Sequence, residues 1–467
     1  MKSEIGLIGL GVMGTSLARN IARNNYSISL YNRYLKGSEE GVAQKKIDQY
    51  DELSSAKGFE ELSAFVDSIQ QPRKIVLMLT AGDAVDQLIS QLEPLLDSGD
   101  LIIDAGNSHY SDTERRNELL AHKNLLYMGL GVSGGEEGAL NGPSLMPGGS
   151  PKAYELVKDL LDSIAAKTSD QQPTSAYVGN GGAGHFVKMV HNGIEYAEMQ
   201  LIAEFFQIMH QAMGMDYDQI ATVFEQWNQS DQKSYLLEIS AAILRTKDDQ
   251  GSIIDRILDK GAHKGTGSWS LIAAAELGQA ATMISSALFS RYTSSKKRYR
   301  TKLSELYNSK NQLIELSIED LRATYRFARI INHHQGFSLI HVASKKNNWD
   351  IDLAVVCGLW TEGCIIKSDL LYQLQPILKS HQLPLSDVSI VELIQMDRPH
   401  VEKLLSSLIP TNVPSLCISN SFEFFKQMLQ EQSSAHMIQA QRDYFGAHGF
   451  ELKGDLTGDS HHYNWNN

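Results

Sequence analysis

The chain runs to 467 residues, too many for one core of ordinary size, so two or three domains are expected. Its 42% hydrophobic and 21% charged residues are those of a globular protein, and no apolar run approaches the ~20 residues that span a bilayer. A formal net charge of −13 argues against nucleic acid or an anionic membrane as a partner.

Met1-Lys2-Ser3-Glu4 leads directly into a strand pattern, so neither a signal peptide nor a transit segment is expected. Cys357, Cys364 and Cys417 have neither metal-ligand spacing nor an even count, and read as buried thiols of a reducing cytoplasm. No metal site is expected.

Ile5-Gly6-Leu7-Ile8 is a short apolar strand running into Gly9-Leu10-Gly11-Val12-Met13-Gly14, after which Thr15 to Asn24 read as a helix. This is G-x-G-x-x-G in its strand–turn–helix setting: one glycine turns the chain, one admits a pyrophosphate, and one lets helix and strand pack closely. The second strand, Ser27 to Tyr31, ends in Asn32-Arg33-Tyr34. A site for NAD usually presents a carboxylate here, whereas the forked donors of Arg33 suit the 2′-phosphate of NADP. Further strands are expected at 74–79, 101–104 and 125–128, alternating with helices as in a doubly wound parallel sheet. The turns after them are Thr80 to Gly82, Ala105 to Ser108 and Gly129 to Gly135. Ligands bind outside the carboxyl ends of such strands, so Asn107 and Ser133 to Gly135 should face cofactor and substrate. The glycine-rich run 129–149 reads as a loop whose backbone approaches a ligand.

After a last strand at 175–178, the loop 179–184 marks a boundary, and the helical period dominates from there. The proline-free run from Gly184 to about Gly214 predicts a helix of about 45 Å. Within it Lys188, His191, Asn192, Glu195 and Tyr196 share one arc of about 140° on an otherwise apolar surface. A base, an imidazole, an amide, an acid and a phenol on one stripe point to a lined cleft, with a hydrogen-bonded seam between helices as the alternative. The basic cluster 296–302 reads as a solvated helix face. A short internal repeat pairs 220–227 with 353–360, and Phe186–Glu195 with Phe327–Gly336, placing Arg329 opposite Lys188 and Gly336 opposite Glu195. The second copy therefore reads as scaffold, with chance similarity the alternative.

Gly-Val-Ser-Gly-Gly-Glu-Glu-Gly at 131–138, Gly-Pro-Ser-Leu-Met-Pro-Gly-Gly at 142–149 and Gly-His-Phe-Val-Lys-Met-Val-His-Asn-Gly-Ile-Glu-Tyr at 184–196 resemble the decarboxylating 6-phosphogluconate dehydrogenases. So do Ile257 to Lys260 with Lys264 to Gly267, and Gln441 to His448. The broader β-hydroxyacid dehydrogenases share only the first domain and the Lys–Asn spacing. The resemblance implies a Rossmann-type α/β domain (1–180), an all-helical substrate and dimerisation domain (181–440, repeats about 184–310 and 320–440) and a tail (441–467) that docks on the partner of a homodimer.

It also implies oxidation of 6-phosphogluconate at C3 with NADP, loss of CO₂, and protonation of C1 of the resulting ribulose 5-phosphate. In that scheme Lys188 is the general base and Glu195 the general acid. Asn107, Ser133, Gly134, Gly135, His191 and Asn192 hold the carboxylate and hydroxyl end. Tyr196, Lys264, Thr266, Arg291 and Arg442 surround the phosphate, with His448 on the sugar chain. The cofactor lies on Gly9, Leu10, Gly11, Val12, Met13, Gly14, Asn32, Arg33, Tyr34, Leu79, Thr80, Ala81 and Asn107. Thr80, Tyr34, Ala105, Ser268 and Gln279-Ala280 depart from the family's pattern without removing a proposed catalytic group. The competing readings are a dehydrogenase of an unphosphorylated β-hydroxy acid and an idle nucleotide-binding paralogue.

Overall fold

Ile5–Ile8 (β1), four consecutive buried residues, is an interior strand of a seven-stranded sheet in the computed structural model of the chain. The structure describes residues 1–262, 265–307 and 312–465. The other strands are Ile28–Tyr31 (β2), Lys57–Phe59 (β3), Lys74–Leu77 (β4), Leu101–Asp104 (β5), Leu126–Ser133 (β6) and Ser144–Gly149 (β7). Their order is β3-β2-β1-β4-β5-β6-β7, parallel throughout except for β7 against β6. The order reverses between β1 and β4, where such sheets open a ligand crevice.

Successive side chains of a strand point to opposite faces, and the core divides accordingly. Leu7, Leu30, Val76 and Ile103 face Leu17, Ala18 and Ile21 of α1 (Val12–Arg23). Ile8, Ile75, Leu77 and Ile102 face Phe65 and Val66 on one helix and Val85 and Ile89 on another. With both faces covered, the strands carry the near-continuous apolar runs of a buried parallel sheet.

Three expectations about strands need correction. Lys57–Phe59 forms an edge strand too short and too exposed to announce itself. The supposed glycine-rich loop contains β7, fully buried and paired with β6 from Met128↔Gly149 to Ser133↔Ser144. Residues 175–178 form no ladder; the segment 175–179 meets β7 through isolated bridges at Leu145↔Ser175 and Gly148↔Gly179 and through the Tyr177 hydroxyl, which donates to the Gly149 carbonyl at 2.7 Å. The reason is Pro147: it accepts from the Val178 N–H but has no N–H to return, which interrupts the pairing.

The helical part begins with Ala183–Gln207 (α2), which continues into a π turn at Ile208–Ala212 and so ends sooner as an α-helix than its composition suggests. Ile318–Asn347 (α3) packs against it: a Cβ on Gly336 would lie 2.4 Å from the Ile194 side chain. Asn332 donates to the Ile194 carbonyl at 3.0 Å, and Arg329 Nε to Glu198 at 2.9 Å, both buried. Each long helix is followed by a shorter one, Tyr217–Asn228 and Leu353–Leu359, with fully buried Trp227 ending the first and Trp360 directly after the second. Between them lie Thr266–Glu276 (α4), Thr282–Ser294 (α5) and Lys297–Leu306 (α6), the last carrying Lys297 and Arg300 onto Asp259.

Contacts group the chain into a unit of residues 1–421, holding the sheet and most of the helices, and a second from Phe422 onward. In the second unit the helix Ala435–Gly446 is followed by irregular chain closed by a Phe450↔His461 bridge. Its organiser is the buried carboxylate of Asp443, which accepts from the backbone of Gly449 and Tyr463 and from His462 and Trp465. Among the described residues, no helix is long and apolar enough to cross a membrane.

Candidate active site

The first turn of the chain has the shape that dinucleotide binding requires. Gly9 takes φ +98°, a Cβ there would strike the Met78 carbonyl at 2.4 Å, and one on Gly14 would meet the Gly9 carbonyl at 1.9 Å. Gly11, by contrast, has open space where a Cβ would be, and it caps the start of α1 beside exposed Val12. Free N–H groups at an uncrowded helix N-terminus suit a pyrophosphate, so these residues fit the cofactor's diphosphate. Leu10 is buried and Met13 half-buried beneath the turn. Asn32, Arg33 and Tyr34 follow β2, with Arg33 and Tyr34 exposed. Leu79, Thr80 and Ala81 follow β4 and lie beside the next loop, since a Cβ on Gly106 would meet the Leu79 carbonyl at 2.7 Å.

That next loop carries Asn107 into a small cavity lined also by Ser108, His185, Lys188, Met189, Asn192 and Trp269. The sheet crevice and the helical stripe thus meet at one place. Lys188 is buried; its Nζ lies 3.4 Å from His191 Nδ1, which also lies 3.3 Å from Asn192 Oδ1 and 3.8 Å from Glu195 Oε2. The far nitrogen of His191 is 3.1 Å from Ser133 Oγ. Burial pushes the Lys188 amine below its ordinary range, with Glu195 and Cys364 opposing. It pushes His191 well down too, helped by the positive charge of Lys188. A neutral imidazole can accept from Lys188 at one nitrogen and donate to Ser133 from the other. Glu195, with 21% of its side chain exposed, faces the same cleft from one turn further on.

Ser133 ends β6; Gly134 (φ +118°) and Gly135 (φ +64°) then start the helix Gly135–Asn141. Eight residues along α2 from Lys188, or about 12 Å, Tyr196 gathers a second group. The Arg291 guanidinium lies 3.6 Å from its ring centroid, and a Cβ on Gly267 would touch the same ring at 2.6 Å. Arg291 also donates to the Ala262 carbonyl at 3.1 Å. Gly267 lies in the first turn of α4, whose N-terminus and nearby guanidinium together suit an anion. Thr266 opens that helix; Lys264 lies outside the described residues. The cleft therefore offers a proton-transfer group at one end and an anion site at the other.

Arg442 and His448 belong to the second unit. Arg442 is exposed and donates to Gln439 at 3.1 Å, and His448 packs edge-on to Phe445. Sequence reasoning assigned no role to His185, Ser108 or Trp269, which line the cavity. His185 stands three residues before Lys188, so the helical period that selected Lys188 could have found it. All three cysteines are buried, and burial pushes the thiol of Cys364 up to about 12.

Several glycines of this region answer to packing rather than to a ligand. A Cβ on Gly148 would lie 2.2 Å from the Gly184 nitrogen, and one on Gly131 would lie 2.7 Å from Lys188 Cβ. The close partner is the start of α2.

A doubly wound sheet with a glycine turn for a diphosphate, opening on a cleft with a buried lysine, defines a dinucleotide-dependent dehydrogenase. Residues 4–179 match the family described as the NAD binding domain of 6-phosphogluconate dehydrogenase, and residues 184–465 the C-terminal domain of the same enzyme. The chain belongs to the 6-phosphogluconate dehydrogenase family. It is 40% identical over 475 residues to the decarboxylating 6-phosphogluconate dehydrogenase of Lactococcus lactis IL1403, covering 99% of both chains. The Staphylococcus epidermidis RP62A enzyme of the same name is 40% identical over 461 residues, covering 97% of each. Plasmodium falciparum 6-phosphogluconate dehydrogenase, solved as apoenzyme and with NADP+ and 6-phosphogluconate, superposes with a TM-score of 0.94 at 34% identity, covering 99% of this chain and 100% of its own.

Proposed function

We propose that this protein oxidises and decarboxylates 6-phospho-D-gluconate to D-ribulose 5-phosphate and CO₂ with NADP+. The observation that carries the reading is Lys188: a buried amine on a polar relay, one helical face with Glu195, and an anion site two turns away. Family membership over the whole length supports the substrate, and the ligands of the Plasmodium enzyme support the cofactor.

Bound NADP+ supplies the hydride acceptor. Lys188, whose burial favours the neutral amine a base requires, takes the proton of the C3 hydroxyl as hydride leaves C3. Its ammonium then returns that proton to O3 while the C1–C2 bond breaks and the bonding pair passes into a C2–C3 enediol. A fixed ammonium beside the developing oxyanion lowers this barrier. Glu195 protonates the former C2, which becomes C1 of the product, as Lys188 takes back the enediol proton. A proton passed from Lys188 to Glu195 resets both.

Asn107, Ser133, Gly134, Gly135, His191 and Asn192 would hold the carboxylate and hydroxyls; Tyr196, Arg291, Lys264 and Thr266 would hold the phosphate. We assign 1–180 to the cofactor, 181–440 to substrate and subunit contacts, with the repeat as its scaffold. The tail 441–467 then carries Arg442 and His448 into the neighbouring subunit of a cytoplasmic homodimer. The test is NADP+ reduction with 6-phosphogluconate, with NAD+ in parallel and CO₂ measured. Reduction with neither cofactor overturns the reading.

A further inference from the structure

The donors assigned above to the cofactor's 2′-phosphate are already engaged. Glu39 reaches back across the turn after β2, fixed by paired backbone hydrogen bonds between Leu35 and Glu39 at 3.0 and 2.8 Å. Its carboxylate accepts from Arg33 Nε at 3.2 and 3.3 Å and from Arg33 Nη2 at 2.9 Å. It also accepts from Asn32 Nδ2 at 2.9 Å. A carboxylate and a phosphate ask for the same geometry from a guanidinium fork, so the two compete for one set of donors. The Arg33 side chain is 70% exposed and Glu39 32%, so the pair sits where solvent and a nucleotide can both reach it.

We propose that Glu39 is the residue that sets the cofactor preference, by occupying the Asn32–Arg33 donor set that a 2′-phosphate must take over. The inference rests on the reading of Arg33 as the 2′-phosphate ligand. NADP+ binds by displacing the Glu39 carboxylate, and Glu39 then repels the incoming dianion from close range. NAD+ brings a neutral 2′-hydroxyl, which needs no displacement and can donate to the same carboxylate, as hydroxyls do to the acid found after this strand in NAD-specific sheets. Glu39 therefore narrows the advantage that Arg33 gives to the phosphorylated cofactor. The adjoining Tyr34, large and 54% exposed, adds no charge to offset it.

The test is calorimetric titration of the full-length wild-type protein, Glu39→Gln, Glu39→Ala and Arg33→Ala with NADP+, NAD+ and 2′,5′-ADP, without substrate. Both Glu39 variants are expected to tighten NADP+ and 2′,5′-ADP about tenfold, the scale expected for removing a negative charge beside a dianion at the surface. NAD+ should stay within twofold of wild type or weaken. If Arg33→Ala collapses the preference while neither Glu39 variant moves any of the three constants beyond twofold, the inference about Glu39 is overturned alone. Should Arg33→Ala leave the ratio of NADP+ to NAD+ affinity unchanged, the 2′-phosphate does not bind there, and the inference falls with the reading beneath it. Equal tightening of NAD+ and NADP+ also overturns it, because a carboxylate that acts on both cofactors alike sets no preference.

Discussion

Replacing Lys188 with methionine separates its chemistry from its packing. Met has nearly the volume and flexibility of the lysine stem, so the site beneath Gly131 stays filled. What is lost is the amine proposed to take the hydroxyl proton and then to face the oxyanion. Removing a general base costs about 10²–10⁴-fold, or about 3–5 kcal/mol on the barrier. Calorimetry on Lys188→Met should show NADP+ and 6-phosphogluconate bound within a few-fold of wild type, while NADPH absorbance shows kcat reduced by at least a hundredfold. Lys188→Arg, which keeps a charge but offers no base, should be equally slow. The stability of the two proteins gives a second readout with a definite sign. Burial makes the folded protein hold the Lys188 proton more weakly than the unfolded chain does. Wild-type stability therefore rises with pH from the lowered folded pKa up to the ordinary lysine range, a slope that Lys188→Met lacks. Turnover of Lys188→Met within tenfold of wild type, with both ligands bound, would place the base elsewhere.

Arg291→Ala removes a guanidinium from the Tyr196 ring and from the anion end of the cleft; it should raise the KM for 6-phosphogluconate about a hundredfold with a much smaller change in kcat, measured by steady-state kinetics. Buried Glu204 accepts from the Cys417 and Ile418 N–H groups at 2.8 and 3.0 Å, yet desolvation outweighs them and raises its pKa to about 7. The folded state then favours the protonated acid, so wild-type stability falls as pH rises from the ordinary carboxylate range through about 7, by about 3 kcal/mol in total. Glu204→Gln should flatten that part of the pH–Tm curve, and an unchanged slope would remove Glu204 as its source. Gly148→Ala puts a methyl 2.2 Å from a backbone nitrogen of α2, so thermal unfolding should show a loss of about 3 kcal/mol or more.

The parts of the fold legible in the sequence are those whose period is undisturbed. The apolar runs of Ile5–Ile8 and Leu101–Asp104 are legible because both faces of these strands are buried, and the stripe from Lys188 to Tyr196 because one side of the helix carries it. The segment Ser144–Gly149 broke the reading because its residues satisfy two constraints at once. As part of the sheet it must pair with β6, where a Cβ on Gly149 would lie 2.9 Å from the Tyr127 carbonyl, and as the seat of α2 it must have no side chain at Gly148. Turn-like composition was the visible result. Glu39 was hidden for a different reason: it lies eight residues beyond β2, where no periodicity constrains a loop, and only the fold brings it back onto Arg33. The order of the second unit around Asp443 joins residues up to 22 positions apart and leaves no local pattern.

Those same glycines bear on the chemistry. Hydride transfer requires a distance set to within fractions of an ångström between a cofactor lying on the sheet and a base standing on a helix. Here the backbones themselves are in contact: Gly184 of α2 sits against the Gly129 and Met146 carbonyls, and Gly131 sits against Lys188 Cβ. A joint made of backbone has no rotamers to relax, which sets the start of α2 closely against β6 and β7. Lys188 lies one turn beyond that joint, and Ser133, at the end of the same strand, closes the relay through His191. If Lys188 is the base, the glycines of 129–149 serve it indirectly, by setting the register between sheet and helix, while Gly9 to Gly14 leave room at the start of α1 for the cofactor proposed there.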